Sequence, residues 1–571
     1  MDQLVSTYAQ ETSTHGIGHI ANAKSRWRRL LWIILTLACT AWLIYQLADT
    51  IESYLEYPVS TSVSLDTADT LAFPAITICN NNPFRLSQMD SLLDPDIEVV
   101  DAANLDYSFG SLKTILRSTR PYNLTTTVLT GSVYRAMWSA SNDTLMNATH
   151  NEIITNCLIG DGSCTETSSY KTWRHGSFGK CVTMNMTLPT SFTGETNGIE
   201  IQLYAEEQEY LPALAAVVGF RVVLHPSDIA PLPEKNGIIV SAGSYVNIAL
   251  AKQIITKKPQ PYSDCTSTTE GGNVGSLATV FDSLEYVENQ TVNYDSTICR
   301  ESCEIYYFLQ YCGCTKGGTV IPEMFMPELG GLDPANFPDD VKQIVTSTFD
   351  NISICLEPIA KSCSSYNQVL EELQTNARCS EYCKTPCEST VFNQVINVSP
   401  YPGDRYIKAS YSVFVSNFPY LSKDMENDPD IKDLADRLAF NLSSTEAVEE
   451  LFSVPTPRNS ISDSNTTTTS NSNQSFDETI ATMLLKSKIE EFIRKNVAEL
   501  KIYFPGMTTT TYEDEPDYSV SSLISSLGGL LGLMLGMSLL SLSEIGFFIF
   551  DVLRLKLGQR QAKKISSKSY F

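Results

Sequence analysis

Gly536-Met537-Ser538 lies in the middle of Tyr518–Ser543, a stretch that carries no charge. Glycines 528, 532 and 536 recur there every fourth residue, and Ser521 and Ser525 extend the stripe of small residues along one helical face. The chemistry on offer is non-covalent. Backbone carbonyls and hydroxyls can replace the hydration shell of a small cation, but polar backbone at membrane depth must be buried in protein or meet water. The stretch is long enough to cross a bilayer, which takes about 20 apolar residues. Taken alone, these residues leave two readings open: a tightly packed helix dimer, or the wall of a pore.

Covalent chemistry finds no comparable constellation. The five histidines are His15, His19, His150, His175 and His225, and no H-E-x-x-H, G-x-S-x-G or phosphate-binding loop is present. Pairs such as Glu206-Glu207 and Asp339-Asp340 read as solvated surface charge. The expectation is no enzyme, no cofactor and no nucleic-acid partner.

The elements around the glycine stretch follow from hydropathy and charge. A second uncharged segment, Leu30–Ala48, is longer than the apolar part of a signal peptide and lacks a small-residue cleavage site. Lys24, Arg26, Arg28 and Arg29 precede it. Arg554, Lys556, Arg560, Lys563, Lys564 and Lys568 follow the glycine stretch. Basic flanks stay on the cytoplasmic side, so both termini are expected there. The parts are a cytoplasmic N-terminus (1–29), a first span (30–50), an extracellular domain (51–517), a second span (518–550) and a cytoplasmic C-terminus (551–571).

The chain carries a formal charge of −25 although both ends are basic, so the extracellular part is strongly acidic and favours cationic partners. Cysteine usage agrees with this placement. All cysteines except Cys39 fall between Cys79 and Cys387, in an even number that suits disulfides in an oxidising compartment. Short spacings such as Cys299-x3-Cys303 also allow a zinc site, which the extracellular setting disfavours. Glycosylation sequons occur at Asn123, Asn142, Asn147, Asn185, Asn289, Asn351 and Asn441, and also at Asn397, Asn465 and Asn473.

Within the extracellular part, strands are expected at Val59–Val63, Leu71–Cys79, Ile199–Tyr204, Val217–Leu224, Gly237–Val240, Tyr245–Lys252 and Lys501–Phe504. Helices are expected over Ser108–Arg117, over 429–452 and over Thr479–Leu500. Residues 82–180 read as an exposed finger-like lobe, and 265–387 as a cysteine-rich thumb-like region. Asn459–Ser475 is a low-complexity polar loop.

Several segments in order resemble the degenerin/epithelial sodium channel superfamily: His15-Gly16 before the first span, FPAITICN at Phe73–Asn80, GIEIQLYAEEQEYLP at Gly198–Pro212, GFRVVLHPSDIAP at Gly219–Pro231, SAGSYVNIAL at Ser241–Leu250, the cysteine cluster, and GGLLGLMLGMSLLSLSE at Gly528–Glu544. The resemblance runs from residue 15 to 544 and is poorest over 82–180 and 388–500. It implies an α+β fold in which two transmembrane helices flank a large disulfide-rich extracellular domain. That domain would be hand-like, with palm and β-ball sheets, a helical finger, thumb and knuckle, and the channel would be trimeric.

The resemblance also implies Cys79–Cys181, Cys157–Cys164 and a ladder of Cys265–Cys387, Cys299–Cys383, Cys303–Cys379, Cys312–Cys363 and Cys314–Cys355. Gly536, Met537 and Ser538 match the family's selectivity filter. His15, Gly16, Ser525, Ser526, Gly528, Gly529, Gly532 and Glu544 match pore and gating positions, with Glu544 and Asp551 enriching cations at the inner mouth. Tyr57 and Tyr262 match a coupling contact at the membrane exit.

Three departures stand out. Pro58-Val59 replace the histidine pair of acid-gated members, Tyr262 replaces a tryptophan, and Ser526 stands where many members have an aspartate. The resemblance therefore implies a plasma-membrane, amiloride-sensitive, sodium-selective channel most like the branch opened by short amidated neuropeptides ending in Arg-Phe-amide. The expected partners are sodium ions, such a peptide, an amiloride-type blocker, the bilayer and copies of itself. Proton gating or constitutive opening are the alternatives within the family. A trimeric ATP-gated channel shares the topology but needs a lysine-rich phosphate site, and a pore-less receptor or adhesion protein leaves Gly-Met-Ser unexplained.

Overall fold

A computed structural model describes residues 7–9, 12–88, 99–100, 106–107, 149–150, 152–160, 162–164, 168–175, 178–186, 189–211, 215–266, 294–300, 314–316, 353–355, 383–453 and 472–568. The chain divides into two compact units. One gathers Met1–Ser62, Lys258–Asp264 and Glu513–Phe571; the other gathers Val63–Lys257 and Cys265–Tyr512.

In the first unit a short helix, Ile17–Asn22, leads into the long helix Arg26–Leu55. The uncharged run Leu30–Ala48 is thus the middle of a longer element. Thr36, Thr40 and Thr50 turn their hydroxyls back onto the carbonyls of Trp32, Thr36 and Gln46, which satisfies these groups on an apolar surface. Arg26–Leu55 is long and apolar enough to cross a membrane. The segment expected as the second span, 518–550, is broken at Gly536-Met537-Ser538. It is a pair, Val520–Leu535 and Leu539–Lys568, that meets the same test only when the two parts are taken together, with a 76° bend between them.

The second unit is built on two sheets. An eight-stranded sheet runs in the order Val59–Thr67, Thr508–Pro516, Ser244–Thr256, Val497–Tyr503, Ile199–Tyr204, Ile154–Ile159, Gly162–Ser163, and Glu388–Pro400 also pairs with Ser244–Thr256. The residues of Val59–Thr67 and Thr508–Pro516 are shared between the two units. A five-stranded sheet has the order Ile238–Ser241, Gly219–His225, Ala75–Asn80, Gly179–Met186, Ser168–His175. Alternation explains the faces: Ser244, Val246, Ile248 and Leu250 point inward along one strand while the residues between them are half-buried. Ile76, Ile78, Ile201, Leu203, Phe220, Val222, Leu500 and Ile502 belong to one shared core.

A layer of helices covers another part of the eight-stranded sheet. Asp404–Ala409, Tyr411–Asn417, Leu421–Asn427, Pro429–Arg437 and Thr445–Ser453 bury Ile407, Phe414, Leu421, Ile431 and Val448 with Leu485, Ile489 and Ile493 of Ser472–Asn496. Two expectations change here. Residues 429–452 form two helices instead of one, because Ala439 adopts a left-handed conformation (φ 50°) between them. The helix expected over Thr479–Leu500 stops at Asn496, whose amide group bonds the carbonyl of Phe492 and accepts from the amide of Glu207. Val497–Leu500 then pair with Ile201–Tyr204, so sheet partners override a sequence of good helix formers.

Within the expected finger-like lobe, Ile154–Ile159, Gly162–Ser163 and Ser168–His175 are strands of the two sheets, and Ser108–Arg117 falls outside the described residues. Among the described residues four disulfides are formed: Cys79–Cys181, Cys157–Cys164, Cys265–Cys387 and Cys299–Cys383. Cys79 and Cys181 are direct cross-strand partners. The implied pairs Cys303–Cys379 and Cys312–Cys363 lie outside the described residues, as do the side chains of Cys314 and Cys355, whose backbones belong to two short parallel strands.

Candidate functional site

The candidate site is the break in the glycine-rich helix, and it lies wholly within the first unit. Ser519 opens the first half-helix, Val520–Leu535, by accepting from the amide of Ser522, an ordinary N-cap. Gly536 ends it in a left-handed conformation, φ 62° and ψ 24°. The amides of Gly536 and Met537 close back on the carbonyls of Gly532 and Leu531 at 2.9 and 3.2 Å. The carbonyl of Leu535 is capped from far away in sequence, by the amide of His15 at 2.9 Å. A Cβ on Gly536 would overlap Nδ1 of His15, so both the backbone angle and the space require glycine.

The second half-helix, Leu539–Lys568, begins with a reciprocal cap. Ser538 Oγ accepts from the amide of Ser541 at 3.3 Å, and Ser541 Oγ accepts from the amide of Ser538 at 3.1 Å. The hydroxyl expected to line a filter is therefore used, within this chain, to start a helix. Ser541 is 1 % exposed and also meets Ser13 Oγ at 2.6 Å. Glu544 accepts two bonds from Ser13, from its hydroxyl at 3.0 Å and its amide at 3.2 Å. It is thus a clamp on the N-terminal arm.

The same arm is fixed on its other side. Gly16 has φ 92° and packs so closely on the long helix that a Cβ would overlap Oγ1 of Thr36. His19 stacks on Trp32 with ring centres 4.4 Å apart, and Tyr8 stacks on Phe548 at 4.2 Å. The arm thereby touches both long helices at the level of the break.

Of the remaining expected pore positions, Ser525, Gly528, Gly529 and Gly532 are exposed within the chain, and Ser526, Met537 and Glu544 are half-buried. A Cβ on Gly528 or Gly529 would meet nothing within 4 Å, so this part of the small-residue stripe is not used to pack the chain against itself. Tyr57 and Tyr262 do meet, edge to face, with ring centres 5.4 Å apart. Around them Asp517 donates its amide to the carbonyl of Pro58, and Lys258 lies 3.7 Å from Glu513. Ser13 and Ser541 were not anticipated; the S-x-x-S spacing at Ser538–Ser541 after a glycine is the signal that points to the cap. Among sequon residues Asn441 and Asn397 are exposed and Asn185 is half-buried. Asn123, Asn142, Asn147, Asn289, Asn351 and Asn465 lie outside the described residues, as does the side chain of Asn473.

A broken, glycine-rich apolar helix braced by a His-Gly arm belongs with one class of membrane protein. Residues 8–450 and 455–548 match the family model described as amiloride-sensitive sodium channel. The chain belongs to that family, whose members are integral plasma-membrane ion channels and not enzymes. It is 23% identical over 586 residues to acid-sensing ion channel 1A of Danio rerio, covering 98% of this chain and 90% of the relative. It is 22% identical to acid-sensing ion channel 2 of Rattus norvegicus over 97% of this chain and 87% of the relative. Epithelial sodium channel subunit gamma of Pelodiscus sinensis is 24% identical over 56% of this chain and 59% of the relative.

Proposed function

We propose that this chain is a subunit of a trimeric, ligand-gated, sodium-selective channel, blocked by amiloride-type cations and opened by a short extracellular amidated peptide. The observation that supports a pore most directly is the break at Gly536-Met537-Ser538. The two half-helices form the second span on this reading, with both termini cytoplasmic, and the break exposes backbone carbonyls that a continuous helix would consume. Rings of such carbonyls can stand in for the hydration shell of sodium. Gly528, Gly529 and Gly532 face the lumen or a neighbouring copy on the same reading, since nothing in the chain covers the first two.

An acidic ectodomain attracts a peptide bearing arginine, and Pro58-Val59 leave out the histidines of acid-gated members. Proton gating is the second reading, favoured by the relatives that carry the name acid-sensing ion channel. Voltage clamp of cells expressing the chain alone separates the two. Sodium current evoked by Arg-Phe-amide peptides, absent on acidification and blocked by amiloride, is the expected result. Current on acidification with none to peptide would replace the first reading with the second. Surface protein without current under either stimulus would count against a channel formed by this chain alone.

A further inference from the structure

The helical layer meets the eight-stranded sheet across a seam that is unusual in its chemistry. Most of it is apolar, yet two carboxyl groups stand in it, each beside a tyrosine. Tyr204, at the end of Ile199–Tyr204 and 1 % exposed, donates its hydroxyl to Asp424 Oδ2 of the helix Leu421–Asn427 at 2.8 Å. Glu499 is 8 % exposed in the middle of Val497–Tyr503. Its strand neighbours Ala498, Leu500 and Ile502 face the core between the sheets, so alternation turns Glu499 the other way, with Val497, toward the helices. Tyr401 is buried in the core of that layer, and its hydroxyl faces the Glu499 carboxyl.

The charges around both groups are mostly of their own sign. Facing Asp424 from the turn after Ile199–Tyr204 are Glu206 and Glu209, with the amide of Gln208. Glu206 is itself buried and bonded to His150 Nδ1 at 2.6 Å. Glu207, in the same turn, lies near Lys495 of the long helix Ser472–Asn496. Facing Glu499 are Glu200 of Ile199–Tyr204 and Lys501 of its own strand, and those two pair with each other at 3.0 Å. Tyr245 of Ser244–Thr256 lies directly opposite Glu499 in register and gives its hydroxyl to Glu195. Tyr406 of Asp404–Ala409 stands 6.2 Å from Tyr401, ring to ring.

We propose that Asp424 and Glu499 make this seam a proton-responsive joint, which tightens as the extracellular medium acidifies and loosens as it becomes alkaline. An ionised carboxylate here must leave water and face further carboxylates, with a tyrosine hydroxyl as its main compensation. A protonated one keeps the hydrogen bond and loses the repulsion. Burial pushes both carboxyls up from the ordinary range; the tyrosines, and Lys501 beside Glu499, pull them back part of the way. For a group whose folded-state affinity for protons is raised, the stabilising contribution is full at low pH and is lost as pH rises through the raised value. Along the chain, Val497–Tyr503 is followed by Thr508–Pro516 and then by Val520–Leu535. The inference concerns the fold of the ectodomain and needs nothing from ion conduction.

The test uses the full-length protein in detergent, melted at several values between about pH 8 and about pH 5. Asp424→Asn and Glu499→Gln imitate the protonated state at every pH. Both are expected to melt above wild type near pH 8, with the gap closing as pH falls. Tyr204→Phe and Tyr401→Phe remove the donors that favour ionisation, so wild-type-like proton uptake should move to higher pH. A gap that does not change with pH, or variants less stable than wild type near pH 8, overturns the proposal. Should the variants fail to fold, hydrogen exchange of wild type decides. Protection of the Leu421–Asn427 amides must rise on acidification, after correction for intrinsic exchange, and unchanged protection overturns the joint.

Discussion

Gly536 is held by two independent demands, a left-handed backbone and the ring of His15 where a Cβ would go. A non-glycine residue in that conformation costs about 1–2 kcal/mol, and the overlap adds to it. Gly536→Ala is therefore expected to displace the N-terminal arm and to lower current per surface channel about tenfold or more, since about 1.4 kcal/mol is a factor of ten. Surface biotinylation beside voltage clamp checks it; unchanged current per channel would break the link between arm and pore. Ser541 makes a different prediction. It shares a reciprocal cap with Ser538 and touches Ser13, so Ser541→Ala should weaken the start of the second half-helix by about 1 kcal/mol. Faster hydrogen exchange in Leu539–Ser543, restored by Ser541→Thr, is the expected signature.

The glycine-rich helix shows that composition marks an element as apolar without setting the 76° angle at its break. Composition sets the solvent an element tolerates; the bend comes from one backbone angle and from caps supplied by residues hundreds of positions away. The end of the helix at Asn496 is a similar case. Val497-Ala498-Glu499-Leu500 are adequate helix formers, but Tyr204, Leu203, Gln202 and Ile201 offer a ladder of hydrogen bonds that the helix could not match without losing the sheet. At this scale the contact between the short N-terminal segment and the long helix is testable. Gly16→Ala should dislodge the arm, because a Cβ meets Thr36 and the backbone lies at φ 92°. Adding Thr36→Ala relieves the overlap but not the backbone strain, so rescue should be partial. Complete rescue would show that space alone made glycine necessary.

For the molecule as a whole, protons act in opposing directions. His175 and His225 are buried, and burial lowers them to about 3 and about 4. Each binds a proton more readily unfolded than folded, so their contribution to stability is full above the ordinary histidine range and is lost as pH falls toward those values. His225 lies 2.9 Å from Thr77 Oγ1 and 2.8 Å from the carbonyl of Pro226, and so works as a neutral hydrogen-bonding group. His225→Gln should lower stability at neutral pH and flatten its fall below about pH 6. Thermal melting across that range is the measurement, and an unchanged acid limb would remove His225 from the account.

Much of this was legible in residue order. The uncharged stretch Leu30–Ala48 marked a candidate span, because transfer of charge into hydrocarbon costs several kcal/mol wherever the chain folds, and Arg26–Leu55 is a helix long and apolar enough to cross a membrane. The strand Ile199–Tyr204 was likewise readable from its own alternation. Tertiary structure alone decided that Ser538 caps a helix, that Glu544 clamps Ser13, and that Asp424 and Glu499 lie beside tyrosines in a buried seam. Those outcomes depend on distance between residues remote in sequence, and hydrogen bonds and desolvation act only over a few ångströms.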